Sequence, residues 1–240
     1  MMIACIDIGS LTNKVVIMSD QSIEGYAVVK NGMEIDKTVA RCFGQIYKNT
    51  GNDFQNLEKI VSTGYGRTKV PFADKCVTEI TCHAKGAYWL NPTVLTVIDI
   101  GGQDSKVISI SAHGQVIDFM MNNKCAAGTG RFLEVMAHAL GIRLEELGEY
   151  SLQSRKKINI SSMCTVFAES EVISFIAEGQ QKEDIIRGLH EAITNRIYAM
   201  AARLHIQNTV ALTGGVAKNK GIIRAFRKKF DGKFYLPPDP

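Results

Sequence analysis

The sequence predicts an α/β protein built from two copies of one strand arrangement, and three observations support this. An apolar strand runs into Asp7-Ile8-Gly9-Ser10, and a second one runs into Asp99-Ile100-Gly101-Gly102. Each turn is followed by two further strand-like segments. In each copy a lysine, Lys14 or Lys106, comes seven residues after the aspartate. We therefore expect an internal duplication, with copies about ninety residues apart.

Residues 1–92 are predicted to form the first subdomain, because the pattern begins again after Asn91-Pro92, a pair that ends helices. Runs of apolar and β-branched residues mark the strands. The predicted elements are strands at 2–6, 14–18, 23–29 and 59–63, a helix within 38–57 and a helix at 78–90.

Residues 93–240 are predicted to form the second subdomain, which is richer in helix. Apolar residues at a spacing of three to four mark its helices, and Gly141 is expected to stop one of them. The predicted elements are strands at 94–98, 106–110, 116–120, 209–212 and 233–236, and helices at 131–140, 166–177, 183–204 and 221–230.

The duplicated glycine turns are suited to hold phosphate. A glycine turn between strands exposes backbone N–H groups, and no Cβ blocks the approach of a ligand. An aspartate at the end of the first strand, Asp7 or Asp99, can hold Mg²⁺ through water, because Mg²⁺ keeps several of its water ligands. Two such turns facing each other across a cleft would hold a triphosphate from both sides.

A third glycine turn, Thr213-Gly214-Gly215-Val216, also follows a strand. It would let a base or ribose lie against the backbone, with Asn219 at the start of the next helix. The sequence has no GxxxxGK[ST] pattern, and Gly128-Thr129-Gly130 is not a GxGxxG fingerprint, so neither P-loop nor Rossmann binding is expected.

Two cysteines, Cys125 and Cys164, each precede a predicted helix. A helix N-terminus stabilises a thiolate, which makes a cysteine there a good metal ligand. In the second stretch we expect Thr165 to cap the helix and Glu169 and Glu171 to lie in its first turn. Two thiolates are too few for a zinc site or an iron–sulfur cluster, which use about four ligands. A two-fold dimer would supply the other pair.

Composition excludes several classes of function. A chain with 45% apolar and 22% charged residues is typical of globular proteins. The net charge is only +4, and the basic residues are scattered rather than gathered in the run that nucleic-acid binding uses. No apolar run approaches the ~18 residues of a membrane span, and the N-terminus lacks a signal-peptide pattern. Six irregularly spaced cysteines without CxxC indicate reduced thiols, so we expect a cytoplasmic protein. From the scattered charge and the short apolar runs we expect contact with neither nucleic acid nor membrane.

Together these motifs resemble the ATPase superfamily of actin, sugar kinases and heat-shock chaperones. The stretches 7–14, 99–106 and 213–219 look like its first phosphate, second phosphate and adenosine motifs. Within it, 123–132 and 164–171 closely resemble the activator (archerase) components of 2-hydroxyacyl-CoA dehydratases, a branch that includes the ATPase subunits of benzoyl-CoA reductase. The stretches 63–67 and 73–80 also look like that branch. The resemblance implies a duplicated ribonuclease H-like fold, with two subdomains around a nucleotide cleft.

The resemblance further implies a homodimer with one [4Fe–4S] cluster between the subunits, held by Cys125 and Cys164 of each. ATP hydrolysis would drive one low-potential electron from a ferredoxin or flavodoxin into a separate acyl-CoA dehydratase or reductase. We expect Gln103 and Asp104 to orient the attacking water or the metal. The expected nucleotide ligands (ATP or ADP, with Mg²⁺) are Gly9, Ser10, Thr12, Lys14, Gly101, Gly102, Gly128, Thr129, Gly130, Gly214, Gly215 and Asn219; the expected Mg²⁺ ligands are Asp7 and Asp99.

Two other functions remain open at this point: a small-molecule kinase of the same fold, and a non-catalytic nucleotide-sensing or chaperone-like module, with or without zinc. The kinase leaves both cysteine motifs unexplained, and 240 residues leave it little room for the insertions that kinases of this fold usually carry. Members of the branch also continue with a Gly/Ala-rich closing helix, whereas this sequence ends at Pro240. The expected second subdomain therefore lacks that helix, or the sequence is a fragment.

Overall fold

The computed structural model describes residues 1–54, 56–161, 164–230 and 234–240. The chain forms two compact units, Met1–Cys82 and His83–Pro240, and the division falls within a helix, α2 (Glu79–Leu90). Each unit has its own hydrophobic core.

The first unit contains a five-stranded sheet in the order β3-β2-β1-β4-β5. Strand β1 pairs antiparallel with β2 and parallel with β4. On β1, Ala4, Ile6 and Ile8 are buried and alternate with more exposed residues, as expected for a strand with one face on the core. The strands are β1 (Met2–Ile8), β2 (Thr12–Ser19), β3 (Ser22–Lys30), β4 (Lys59–Thr63) and β5 (Lys75–Cys76).

The second unit repeats this topology in the order β8-β7-β6-β9-β10, again with β6 antiparallel to β7 and parallel to β9. All residues of β6 and β7 are buried, because both faces of these two inner strands are covered. The predicted duplication is confirmed. The strands are β6 (Thr96–Ile100), β7 (Ser105–Ile110), β8 (Val116–Asn122), β9 (Val210–Thr213) and β10 (Phe234–Tyr235).

The helices follow the predicted periodicity closely. They are α1 (Ile35–Thr50), α2, α3 (Gly130–Leu140), α4 (Leu147–Leu152), α5 (Thr165–Ala177), α6 (Lys182–Arg203) and α7 (Lys220–Lys229). Gly141 ends α3 in the left-handed conformation with φ 65°, which confirms the predicted stop. In the helix α6, ten of 22 residues are buried, so packing rather than intrinsic propensity stabilises it.

Some elements differ from the prediction. Strand β6 starts at Thr96, two residues later than predicted, because Leu95 and Thr96 donate their N–H groups to the Thr209 carbonyl before the regular ladder begins. Strand β5, helix α4 and three short 3-10 helices were not predicted, since each is too brief to show a period. Of the last predicted strand, Lys233 lies outside the described residues.

In the part of the chain that the structure describes, no helix combines the length and apolar character needed to cross a membrane.

Candidate nucleotide and cysteine sites

The two predicted phosphate turns have the same backbone geometry. The Gly9 N–H donates to the Thr12 carbonyl at 3.1 Å, and the Gly101 N–H donates to the Asp104 carbonyl at 2.9 Å. Each bond closes a tight loop between the first two strands of its unit. Thr12 and Asp104 therefore occupy equivalent positions, each five residues after the aspartate of its own copy.

In the first unit, Asp7 faces Lys14 across the β1–β2 ladder, with 2.7 Å between the lysine Nζ and the carboxylate Oδ2. The lysine is only partly exposed, so it is a partner of the aspartate rather than a freely solvated strand residue. The predicted residues Gly9, Ser10 and Thr12 lie in the adjoining turn.

In the second unit, the equivalent lysine is almost fully buried between two carboxylates. Lys106 Nζ lies 3.4 Å from Asp99 Oδ2 and 2.6 Å from Asp104 Oδ2. The ammonium therefore links the predicted Mg²⁺ ligand to the residue predicted to act near the γ-phosphate. Gln103 is exposed at the tip of the same turn.

His83 is a member of this cluster that the sequence reasoning missed. Its Nε2 lies 3.5 Å from Asp99 Oδ2, and its side chain is one-third exposed. No sequence signal links a residue of α2 to the end of β6. The contact depends on how α2 packs in the folded unit.

A fourth repeated feature also escaped the sequence reasoning: a Thr-Gly turn after the parallel neighbour of each first strand. Thr63 pairs in register with Asp7, and Thr213 pairs with Asp99. The glycines that follow, Gly64 and Gly214, have φ values of 86° and 88°. A Cβ at either position would collide with the aspartate carboxylate and with the carbonyl of the residue after it. Only glycine allows the backbone to approach the aspartate so closely.

We expect Gly214→Ala to lower the free energy of unfolding by at least about 2 kcal/mol, because the new methyl group meets the Ile100 carbonyl in a backbone conformation that alanine rarely adopts. Urea denaturation of the purified variant measures this change. Gly215→Ala is the matched control: no described atom lies within 4 Å of its Cβ position, so its effect should stay within about 0.5 kcal/mol. Equal losses in both variants would contradict the steric explanation.

Asn219, predicted to line the adenosine, is the N-cap of α7. Its Oδ1 accepts from the N–H groups of Gly221 at 2.9 Å and Ile222 at 3.1 Å. Its Nδ2 lies 3.3 Å from Nε2 of the buried His190. Burial lowers the pKa of His190 to about 3, and the nearby Arg224 acts in the same direction. The imidazole is therefore neutral, and its Nε2 accepts from the Asn219 amide, whose orientation the cap fixes.

The loop that carries Cys125 is held by its own polar groups. Asn122, at the end of β8, donates its Nδ2 to the carbonyls of Cys125 and Ala127, both at 2.9 Å. The Thr129 hydroxyl donates to the Ala126 carbonyl at 2.6 Å. The loop is therefore a defined structure, with Cys125 half-buried against the core of the second unit.

The first turn of α3 is joined directly to the second phosphate turn. The Gly130 N–H donates to the Gly101 carbonyl at 2.9 Å, and the Arg131 N–H donates to the Gly102 carbonyl at 2.7 Å. These two N–H groups are thus paired within the chain and cannot bind an anion. The Gly101–Gly102 backbone and the end of the loop that carries Cys125 are therefore linked by two hydrogen bonds.

Cys164 is exposed and is itself the N-cap of α5. The expected cap at Thr165 is wrong, because Thr165 is the first helical residue, and the first turn of α5 contains no acidic residue. Glu169 lies beyond that turn, and Glu171 accepts from the Ser161 N–H and hydroxyl instead. The neighbouring Ser162 and Met163 lie outside the described residues.

Helices α3 and α5 pack against each other. The two cysteine segments therefore lead into two helices that are in contact. Within the described ranges, no group of three or more His, Cys, Asp or Glu residues is arranged to hold a metal ion. The two thiols of one chain are half the number of ligands that a cluster with four thiolates uses.

Comparison with known proteins identifies the class. The family model described as the BadF/BadG/BcrA/BcrD ATPase family matches residues 5–240. The chain is 44% identical over 219 residues to the (R)-2-hydroxyglutaryl-CoA dehydratase activating ATPase of Acidaminococcus fermentans, covering 90% of this chain and 84% of that one. It is 41% identical over 236 residues to the 2-hydroxyisocaproyl-CoA dehydratase activator of Clostridioides difficile, covering 98% and 88%.

Solved structures of similar proteins have the same fold as this chain. The Clostridium difficile activator of the 2-hydroxyisocaproyl-CoA dehydratase, solved with bound ADPNP, superposes with a TM-score of 0.94 at 40% identity, covering 100% of this chain and 90% of that one. A ROK hexokinase from Thermus thermophilus, with a TM-score of 0.54 at 11% identity over 98% and 92% of the chains, shares the sugar kinase-type fold alone. The fold and site thus define a nucleotide-dependent ATPase of the actin and sugar kinase type. The chain belongs to the BadF/BadG/BcrA/BcrD ATPase family.

Proposed function

We propose that this protein is the ATP-dependent one-electron donor, or activator, of a 2-hydroxyacyl-CoA dehydratase or a benzoyl-CoA reductase-like enzyme. It works in the cytoplasm as a homodimer that carries one [4Fe–4S] cluster between its subunits. A ferredoxin or flavodoxin supplies the electron. The observation that carries the proposal is the pair of hydrogen bonds from Gly130 and Arg131 to Gly101 and Gly102, because it joins an ATP-binding turn to a cysteine loop.

Each unit carries its own groups suited to ATP. The turn 9–12 with Lys14, and the turn 101–104 with Lys106, offer N–H groups and positive charge to the phosphates. Asp7 and Asp99 hold Mg²⁺ through water, and Gly214, Gly215 and Asn219 line the adenosine. Asp104 and Gln103 orient the attacking water near the γ-phosphate. In this proposal the two domains are 1–92 and 93–240.

Hydrolysis changes the charge at these turns, and Lys106 responds because it is shared between Asp99 and Asp104. A shift of the 101–104 turn displaces the N-terminus of α3 and, through Gly128 and Thr129, the Cys125 loop. Cys125 and Cys164 of both subunits would hold the [4Fe–4S] cluster, which would supply single-electron transfer at low potential. Each chain contributes two of the four thiolates and would move them when ATP is hydrolysed.

The second copy is supported by an exposed apolar face on α5, directly after Cys164. Val166 is 66% exposed and Phe167 is 68% exposed, and Ile173 and Ile176 continue the exposed apolar side chains along the helix. Large apolar groups clustered beside a cysteine are more typical of an interface than of free surface. A two-fold axis near Cys164 would bury them and bring two pairs of thiols together.

A direct assay tests the function. Protein purified without oxygen should be brown and dimeric, and it should transfer electrons from a reduced ferredoxin to a 2-hydroxyacyl-CoA dehydratase only when ATP and Mg²⁺ are present. The dehydratase alone, and the activator with ADP, are the controls. A colourless monomer that phosphorylates a small molecule would overturn the proposal in favour of a kinase.

A further inference from the structure

Arg196, on α6, lies across the loop that carries Cys125. Gly128 in this loop has φ 89°, and a Cβ built on it would stand 3.0 Å from the arginine Cδ and 3.5 Å from its Nε. The arginine side chain therefore passes directly over the backbone three residues after Cys125. Glycine at position 128 is what allows this close approach.

The arginine Nε is buried, and the described part of the chain offers it no hydrogen-bond partner. The carbonyls of this loop already have other donors: those of Cys125 and Ala127 accept from Asn122, and that of Ala126 accepts from Thr129. A buried donor on a charged group without an acceptor is costly. The positive charge of the guanidinium favours negative charge nearby.

We propose that Arg196 is a positioning residue whose positive charge acts on the negative charge that the Cys125 loop gathers, namely the thiolates and sulfides of the cluster. The inference rests on the proposed function. A cluster with four thiolate ligands is an anion, and its negative charge grows by one when it takes an electron from the ferredoxin or flavodoxin donor. A nearby cation stabilises the reduced form more than the oxidised form, so Arg196 makes the cluster easier to reduce.

Three variants of the full-length dimer test this role. Arg196→Met keeps the apolar stem but removes the charge and the Nε–H, whereas Arg196→Lys keeps the charge. Arg203→Met, at an exposed position at the end of the same helix, is the matched control. At a fixed solution potential, the ratio of reduced to oxidised cluster, measured by EPR, should fall about tenfold in Arg196→Met. It should fall less in Arg196→Lys and remain unchanged in Arg203→Met.

Iron content and ATP affinity are measured on the same samples. An unchanged reduction ratio in Arg196→Met with full iron content would overturn the inference and leave the proposed function intact. If Arg196→Met loses iron and Arg196→Lys restores it, the charge is needed to assemble the cluster, which supports the inference; loss in both variants would assign Arg196 to packing alone. Weaker ATP binding with an unchanged ratio would make phosphate the anion and also overturn it. Wild-type protein without iron would instead refute the proposed function.

Discussion

Replacing Cys164 with serine should remove the iron from protein purified without oxygen, from about four atoms per pair of chains to nearly none. Serine is a poor ligand for iron. In a two-fold dimer the single substitution removes two of the four thiolate ligands, because each subunit contributes its own Cys164. Cys164 is an exposed N-cap residue whose side chain makes no cap hydrogen bond, so serine should leave helix α5 intact. Iron analysis and the charge-transfer absorption measure the effect, and binding of ATP to the variant should persist.

The matched control is Cys76→Ser. Cys76 is also exposed, and its Sγ lies 3.1 Å from the Ser62 hydroxyl, a contact that a serine side chain can replace. Its iron content should equal that of the wild type. Full iron content in Cys164→Ser would exclude Cys164 as a ligand, and equal losses in both variants would indicate general damage to the protein.

Replacing Asp99 with asparagine should reduce Mg²⁺-dependent ATP hydrolysis by about 10²-fold or more, because the variant loses the charge that would hold the metal at the phosphates. Asp99 is 4% exposed and contacts Lys106, His83 and Thr213, so the isosteric amide is the mildest change available. The fold should survive, because the Lys106 ammonium keeps its shorter contact with Asp104 at 2.6 Å. Steady-state phosphate release at varied Mg²⁺ measures the effect.

Two controls accompany this variant. Asp118→Asn changes an exposed aspartate on β8 whose Oδ1 accepts from its neighbour's N–H, a bond that the amide oxygen can keep. Its turnover should match the wild type. The iron content of Asp99→Asn should also match, because the residue lies outside the cysteine loop. Turnover in Asp99→Asn within about twofold of the wild type would remove Asp99 from the site.

The two glycine turns and both cysteine segments could be predicted because their signals are local. A strand, an Asp-x-Gly turn and a lysine seven residues on are contiguous in the chain, and the antiparallel pairing of β1 with β2, or β6 with β7, follows from the short turn between them. Helices α3 and α5 could also be predicted, since their apolar residues recur at helical spacing. The cap of α5 was misplaced by one residue because a cysteine gives no capping signal.

The remaining features depend on pairs that lie far apart in the chain. Thr213 meets Asp99 across a parallel ladder more than one hundred residues later, and His83 reaches the same carboxylate from α2. Parallel strands are joined by long crossovers, whose return register is set by packing rather than by a turn. The sequence contains the Thr-Gly dipeptide in both copies, but the dipeptide alone does not show that each turn lies beside an aspartate. The parallel strand pairing shows it.

By itself, the sequence determined the duplicated α/β architecture, the two phosphate turns and the placing of two cysteines ahead of two helices, because period and turn chemistry act over a few neighbouring residues. Only the tertiary structure decided that the start of α3 hydrogen-bonds to the second turn. It alone also decided that Arg196 lies over the loop that carries Cys125, with an Nε donor that has no partner among the described residues. Both contacts join segments that are distant in the chain. Which groups meet there is decided by the close packing of the whole core and not by neighbouring residues in the sequence.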